Sequence, residues 1–362
     1  MERSLKIRLW IVAGLLTAVG LAFVYSAGLY WGSIHYEGSM PFVWKQMIYV
    51  GIGVTSCYAI SSIKTPFSLT FWFWLYLFSL VGLLGVFIPG IGTTRNGSSS
   101  WISLAGFTIQ PSEFVKIALL GFMSSVLAQT KKLEKHHIWL LGVIALLPLA
   151  LIILQPDFGS AMIIVCGIVF LLFIVGLPWK FFLLTGSLCL VGIVGLILAA
   201  PYRLKRLTAY LDPWQDPLGT GFQSIQSLLA FGPSGLFGYG YGDSRQKYLY
   251  LPEPQNDFIF AIFSEEMGLI GSVVLIGLFF AFLVQCFVIA NEQQSVANSY
   301  FIISLTAMMG IQIFLNLAVV VGLVPVTGVT LPFISYGGSS MIATWVTIGF
   351  ILQTMNHTTK GA

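Results

Sequence analysis

Ten apolar stretches, each about as long as a lipid bilayer is thick, limit this chain's fold more than any other feature. They lie near residues 8–30, 43–61, 69–90, 112–129, 138–155, 159–177, 181–200, 265–290, 299–321 and 339–355. A helix needs roughly 20 apolar residues to cross the hydrocarbon core. The runs are continuous, whereas barrel strands would alternate apolar and polar residues over about ten positions. A helix also satisfies its own backbone hydrogen bonds in lipid. Only 8% of the residues are charged and 57% are hydrophobic, against about 25% charged in soluble domains. The expectation is an all-α integral membrane protein of ten transmembrane helices, forming one polytopic membrane domain over residues 1–362.

The lysines and arginines of the short connections set the expected orientation. Arg3, Lys6 and Arg8 precede the first span. Lys64 follows the second, Lys131, Lys132 and Lys135 the fourth, Lys180 the sixth, and Lys360 the last. All fall on one side, which predicts cytoplasmic termini. Residues 31–42, 91–111, 155–158, 201–264 and 322–338 then lie outside. The first span is too long for a signal peptide and no small-residue cleavage site follows it, so it reads as a retained span. Cys57, Cys166, Cys189 and Cys286 fall inside spans and read as small buried residues. No zinc or disulfide spacing is visible, and a net charge of +4 does not suggest a nucleic-acid partner.

Between the seventh and eighth spans the composition changes. Residues 202–266 hold 12 of the chain's 30 charged residues. The loop 201–264 is therefore the expected extracytoplasmic catalytic segment. At its start, Arg203, Lys205 and Arg206 either meet lipid headgroups or cradle an anionic lipid phosphate, which arginine suits through bidentate donation. Lys247 is a further cation able to stabilise developing negative charge. Gly238-Tyr239-Gly240-Tyr241-Gly242 superficially suggests a phosphate loop, but it lacks the following helix and the Lys-Ser/Thr pair. At the exit, Asp257 enters the large apolar run Phe258–Phe263. A carboxylate against apolar surface has a raised pKa, which suits a general base; the plainer reading is a helix cap.

Three shorter outer segments carry candidates. In Gln110-Pro111-Ser112-Glu113-Phe114-Val115-Lys116, a helix start accounts for Glu113 but not for Lys116. The two share a helix face at the apolar boundary, where ionisable groups are costly and usually functional; a structural ion pair is the alternative. Asp157, in Gln155-Pro156-Asp157, either contacts substrate or caps the next helix. In Leu331–Ser340, the helix start at Gly337–Ser340, Ser339 among them, offers free N–H donors to an anion.

At these residues the chain resembles the SEDS family of FtsW, RodA and SpoVE. The likeness runs through Tyr25-Ser26, Asn96-Gly97, Trp101-Ile102, Gln110–Glu113, Gln155–Asp157, Asp212-Pro213, Leu251–Glu253, Asp257–Phe260, Asn316, Pro325–Gly328 and Leu331–Ser340. The Glu253-Pro254-Gln255 form is closer to the division and sporulation branch than to RodA. The resemblance implies a glycosyltransferase that polymerises lipid II outside the membrane. It also implies a class B penicillin-binding protein as partner, together with other divisome or elongasome membrane proteins. It puts the family's catalytic aspartate at Asp257, and its PSE glutamate and nearby lysine at Glu113 and Lys116. A divalent cation, Mg or Mn, is a possible cofactor; the sequence shows no all-protein cage for one. Two positions depart from the family pattern. Gln255-Asn256 stand where many relatives have His-Thr, and Ser99-Ser100 where many have Arg-Arg before the tryptophan. A lipid flippase is the other reading, compatible with ten spans and with intramembrane Glu113 and Lys116. A noncatalytic scaffold is the third.

Overall fold

A computed structural model describes residues 2–35, 40–95, 98–104, 107–130, 135–198, 210–248 and 250–356. Each of the ten apolar stretches is carried by a helix: α1 (Glu2–His35), α2 (Met40–Ser61), α3 (Leu69–Gly85), α4 (Ser112–Gln129), α5 (Lys135–Leu154), α6 (Phe158–Ile174), α7 (Trp179–Leu198), α9 (Ile259–Asn291), α10 (Val296–Val320) and α11 (Gly338–Thr354). Five contain segments long and apolar enough to cross a membrane by length and composition: Arg3–Ile34, Ser112–Gln129, His137–Leu154, Ile259–Asn291 and Val296–Val320.

The molecule is not purely helical. Residues expected as a connecting loop form a three-stranded antiparallel sheet, β1 (Gly92–Arg95), β2 (Ser98–Leu104) and β3 (Phe107–Ile109), in the order β1-β2-β3. Gly92 pairs with Ile102 and Ile102 with Ile109. The aromatic and β-branched residues Thr93, Trp101, Ile102 and Ile109 favour extended backbone. The fold is thus mostly helical, consistent with the all-α expectation, with this small sheet in one connection. The polar segment also has structure of its own, with a 3-10 turn at Pro213–Gln215 and the helix α8 (Phe222–Phe231).

Two cores hold the helices together. One gathers α1, α2, α9 and the 331–334 loop; the other gathers α3 to α6. Helices α10 and α11 supply residues to both, Ile302 and Phe301 from α10 and Trp345 and Phe350 from α11. Among the candidate spans, α4 and α10 are the most enclosed, with 78% and 72% of their apolar windows buried. Most side chains on these two helices meet protein rather than lipid. They can therefore carry polar groups that a lipid-facing helix could not afford.

Helix α9 is broken. Gly268 has φ 66° and ψ −166°, so its neighbours lose their in-helix partners. The glycine-rich loop of the polar segment replaces them. Tyr239 and Gly240 N–H donate to the carbonyls of Glu265 and Glu266 (both 3.0 Å), while Leu269 and Ile270 N–H donate to Gly235 and Leu236 (both 3.1 Å). The approach is too close for side chains. A Cβ at Gly238 would fall 2.2 Å from the Glu266 carbonyl oxygen, and one at Gly268 would fall 2.4 Å from the Gly238 nitrogen. The glycine pattern that looked like a phosphate loop is therefore a clasp on a broken helix.

Candidate active site

The α4 start follows directly from its sequence. Pro111 occupies the N-cap position and Glu113 complements the helix dipole in the first turn. One turn later Lys116 reaches back, and its ammonium lies 2.8 Å from Glu113 Oε2. Both residues are buried, at 7% and 6% exposure. The free energy of enclosing two charges is recovered only through good pairing and further hydrogen bonds. Lys116 has both: it also donates to Gln312 Oε1 (3.0 Å) on α10.

From this pair the polar contacts continue without interruption. Gln312 Nε2 donates to the Thr330 carbonyl (3.0 Å), and the Thr330 hydroxyl shares a hydrogen bond with Ser340 (2.8 Å) at the start of α11. Next to it, Ser339 accepts from the Gln110 N–H (2.8 Å), and Gln110 Nε2 donates to Asp157 Oδ2 (2.9 Å). Asp157 caps α6, accepting from the Ser160 N–H (3.0 Å) and the Ser160 hydroxyl (2.8 Å). The 335–337 loop is clamped by buried Gln46, which donates to the Ser335 carbonyl (3.1 Å) and accepts from the Gly337 N–H (3.3 Å). Four of the segments singled out in the sequence therefore meet: 110–116, 155–157, 331–340 and, through the Tyr336 N–H bonded to the Gln255 carbonyl (2.8 Å), 251–257.

Asp257 stands just before α9, partly exposed. Its main-chain carbonyl accepts from Asn316 Nδ2 (2.7 Å), and the same amide donates to the Val329 carbonyl (2.7 Å). Burial pushes the Asp257 carboxyl up from 3.8 to about 6, and the nearby Glu253 carboxylate adds to the rise against a hydrogen bond from its own backbone. Glu253 adopts a left-handed φ of 43° and accepts from Asn256 Nδ2 (2.7 Å). Backbone strain of this kind persists only where the surroundings enforce it.

The remaining sequence candidates are placed differently. Lys247 is buried, at 1% exposure. Its ammonium donates to the Gly242 carbonyl and lies 3.3 Å from Glu266 Oε1. Glu266 also accepts from Ser26 of α1 (2.5 Å) and from the Ser244 N–H (3.3 Å). Lys247 thus closes a buried pair inside the clasp instead of facing an incoming anion. Glu265 and Glu266 lie two turns inside α9, because the helix starts at Ile259 and not near 265. Arg203 and Arg206 lie outside the described residues. Among the described residues, no three His, Cys, Asp or Glu side chains could together hold a metal ion. A cavity of about 440 Å³ at the opposite ends of α4 and α11 is lined by neutral residues such as Trp72, Ser125, Asn298 and Gln353, and by none of the candidate residues.

Sequence reasoning passed over Gln312, Thr330 and Gln46. A signal for Gln312 was available: with Asn316 it makes a pair of amides four residues apart in an otherwise apolar helix.

This arrangement defines a class: a polytopic helical membrane protein with a buried ion pair and a carboxylate of raised pKa at one end of its bundle. The family profile FTSW_RODA_SPOVE, described as "Cell cycle protein", matches residues 6–360. Stage V sporulation protein E of Bacillus subtilis (strain 168) is 41% identical, over 98% of each chain. A probable peptidoglycan glycosyltransferase FtsW of Saccharophagus degradans is 37% identical, over 94% of this chain and 90% of that one. A solved structure described as "Structural coordination of polymerization and crosslinking by a peptidoglycan synthase complex" superposes with a TM-score of 0.79 at 30% identity, covering 97% of this chain and 98% of that one. Thermus thermophilus RodA superposes with a TM-score of 0.70 at 26% identity, over 96% and 95%. The chain belongs to the FtsW/RodA/SpoVE family.

Proposed function

We propose that this protein is a peptidoglycan glycosyltransferase that polymerises lipid II into glycan strands at the outer face of the bacterial cytoplasmic membrane. The observation that carries this reading is the convergence of separate family segments on one polar site beside Asp257, in a chain matched by the family from residue 6 to 360. Both termini are cytoplasmic in this reading, and ten helices cross the bilayer. The substrate's polyprenyl tail stays in lipid while its sugars reach the 201–264 loop and the ends of α4, α9 and α11.

The reaction is an inverting transfer. Asp257 accepts the proton of the 4-hydroxyl on the acceptor's terminal N-acetylglucosamine. That oxygen bonds to the anomeric carbon of the donor's N-acetylmuramic acid, and polyprenyl pyrophosphate departs with the electron pair. Carboxylates against apolar surface suit this role because their raised pKa approaches the working pH. Cations held in place stabilise charge developing on the leaving group: Lys116 through its field, Arg203 and Arg206 by contact. Glu113 pairs with Lys116 and aims it, while Asp157 and Ser339 hold the rim together through Gln110. Lys247 stiffens the clasp. A divalent ion, if one takes part, would be held near Asp257 and would supply positive charge to the departing pyrophosphate. The partner is a class B penicillin-binding protein that crosslinks the strands, within a larger division or elongation assembly.

Purified protein with its partner and lipid II should form glycan polymer, and Asp257→Asn should lower the rate by at least about 100-fold, the usual contribution of a positioned base. A folded Asp257→Asn protein that polymerises at the normal rate would remove Asp257 from the chemistry. Lipid translocation that depends on Glu113 and ignores Asp257, without polymer, would favour a flippase instead.

A further inference from the structure

Two side-chain amides of α10 reach the site from one helix face. Asn316 donates to the carbonyls of Asp257 and Val329 (both 2.7 Å). One turn earlier, Gln312 accepts from the Lys116 ammonium (3.0 Å) and donates to the Thr330 carbonyl (3.0 Å). Both are buried, at 1% and 3% exposure. The transfer step uses neither of them. Burying a primary amide in an apolar helix is costly unless its hydrogen bonds are made. Gln312 uses its oxygen on the ion pair and its N–H on the 330 loop, and Asn316 uses its N–H donors on the two loops, while its own oxygen is buried without a hydrogen bond.

The helix sets the spacing. Four residues rise about 6 Å, so the Asp257 peptide is held at one level of α10 and the Lys116 ammonium at the level below. The carbonyls gripped in between, Val329 and Thr330, are consecutive, so one short segment of chain is pinned by both amides. Helix α10 is itself fixed, since it contributes to both cores.

We propose that Asn316 is a positioning residue for Asp257, holding the peptide from which the carboxylate projects. This rests on the polymerase reading. Asn316 touches no reacting atom; its effect runs through where Asp257 stands. A displacement of about 1 Å at a reacting group can lower a rate on the order of 100-fold.

The test is lipid II polymerisation by the full chain with its partner, with kcat and KM measured separately and kcat expressed per folded molecule. Asn316→Leu removes both donors at similar volume, and Asn316→Ser retains one. The expected result is a kcat loss of roughly 100-fold in Asn316→Leu, a smaller loss in Asn316→Ser, and a KM for lipid II unchanged in both. Should Asn316→Leu fail to fold, the kcat and KM of Asn316→Ser decide. A folded Asn316→Leu protein with wild-type kcat overturns the proposal, as does a loss confined to KM. Equal losses in both variants that track a fall in Tm, or failure of both to fold, would reduce Asn316 to a structural tie and also overturn it. The wild-type arm separates the two ideas: no polymer from wild type defeats the function, whereas polymer from wild type with an indifferent Asn316 defeats only this inference.

Discussion

At the residue scale the acid behaviour of Asp257 ties structure to rate. As a base it works only when ionised, so with its carboxyl raised to about 6 the rate should fall as pH drops through 6. Glu253 is one source of the rise, because a neighbouring negative charge disfavours a second. Glu253→Gln should therefore move the acid limb of the kcat/KM profile to lower pH, by less than the whole rise, since burial is the larger cause. An unmoved limb would mean that Glu253 does not act on the titrating group. The stability sign is opposite to that of activity. A carboxyl whose folded pKa exceeds its unfolded value favours folding when protonated and loses that contribution as pH rises through 6. Asp257→Asn, neutral at every pH, should show a Tm at pH 7–8 equal to or above wild type while polymerisation is lost. A lower Tm would attribute the lost activity to damage instead.

At the element scale the clasp on α9 makes a sharper demand than any helix propensity. Gly268 needs a left-handed backbone, and it faces Gly238 at a separation that admits no Cβ. Gly268→Ala and Gly238→Ala should each cost about 2 kcal/mol or more, through backbone strain and lost packing, read as a lower Tm in detergent. Gly277→Ala, on the same helix with open space around it, should leave Tm within a degree or two. Similar Tm values for all three variants would refute the clasp. This element also marks where sequence reading stops. The helices were legible because apolar length is a local property, and the raised pKa of Asp257 was legible because a carboxylate leading into Phe258–Phe263 is locally anomalous. Lys247 was not, because its partner Glu266 lies 19 residues on and meets it only after the helix breaks. The strands at 92–109 were too short and serine-rich to stand out from a loop, and the role of Gln312 was hidden because its partner Lys116 lies 196 residues away.

At the scale of the whole molecule, the break in α9 also reconciles its length with the bilayer. Its 33 residues would extend about 50 Å as a straight helix, well beyond a hydrocarbon core of about 30 Å. From Leu269 to Asn291 the helix is about the right length to span, while Ile259–Met267, with buried Glu265 and Glu266, lies beyond that length, where the polar segment covers it. This puts the Asp257 end of the bundle and the α9–α10 turn on opposite faces of the membrane, the first outside and the second inside in the proposed topology. Cysteines introduced singly into a chain freed of its four native ones would test the arrangement. Leu218→Cys, at a position 89% exposed in the polar segment, should react with a membrane-impermeant maleimide in intact spheroplasts. Ser295→Cys, exposed in the α9–α10 turn, should react only after permeabilisation. Labelling of Ser295→Cys in intact spheroplasts would invert the topology. It would put Asp257 on the cytoplasmic side, where an outer-face polymerase could not use it.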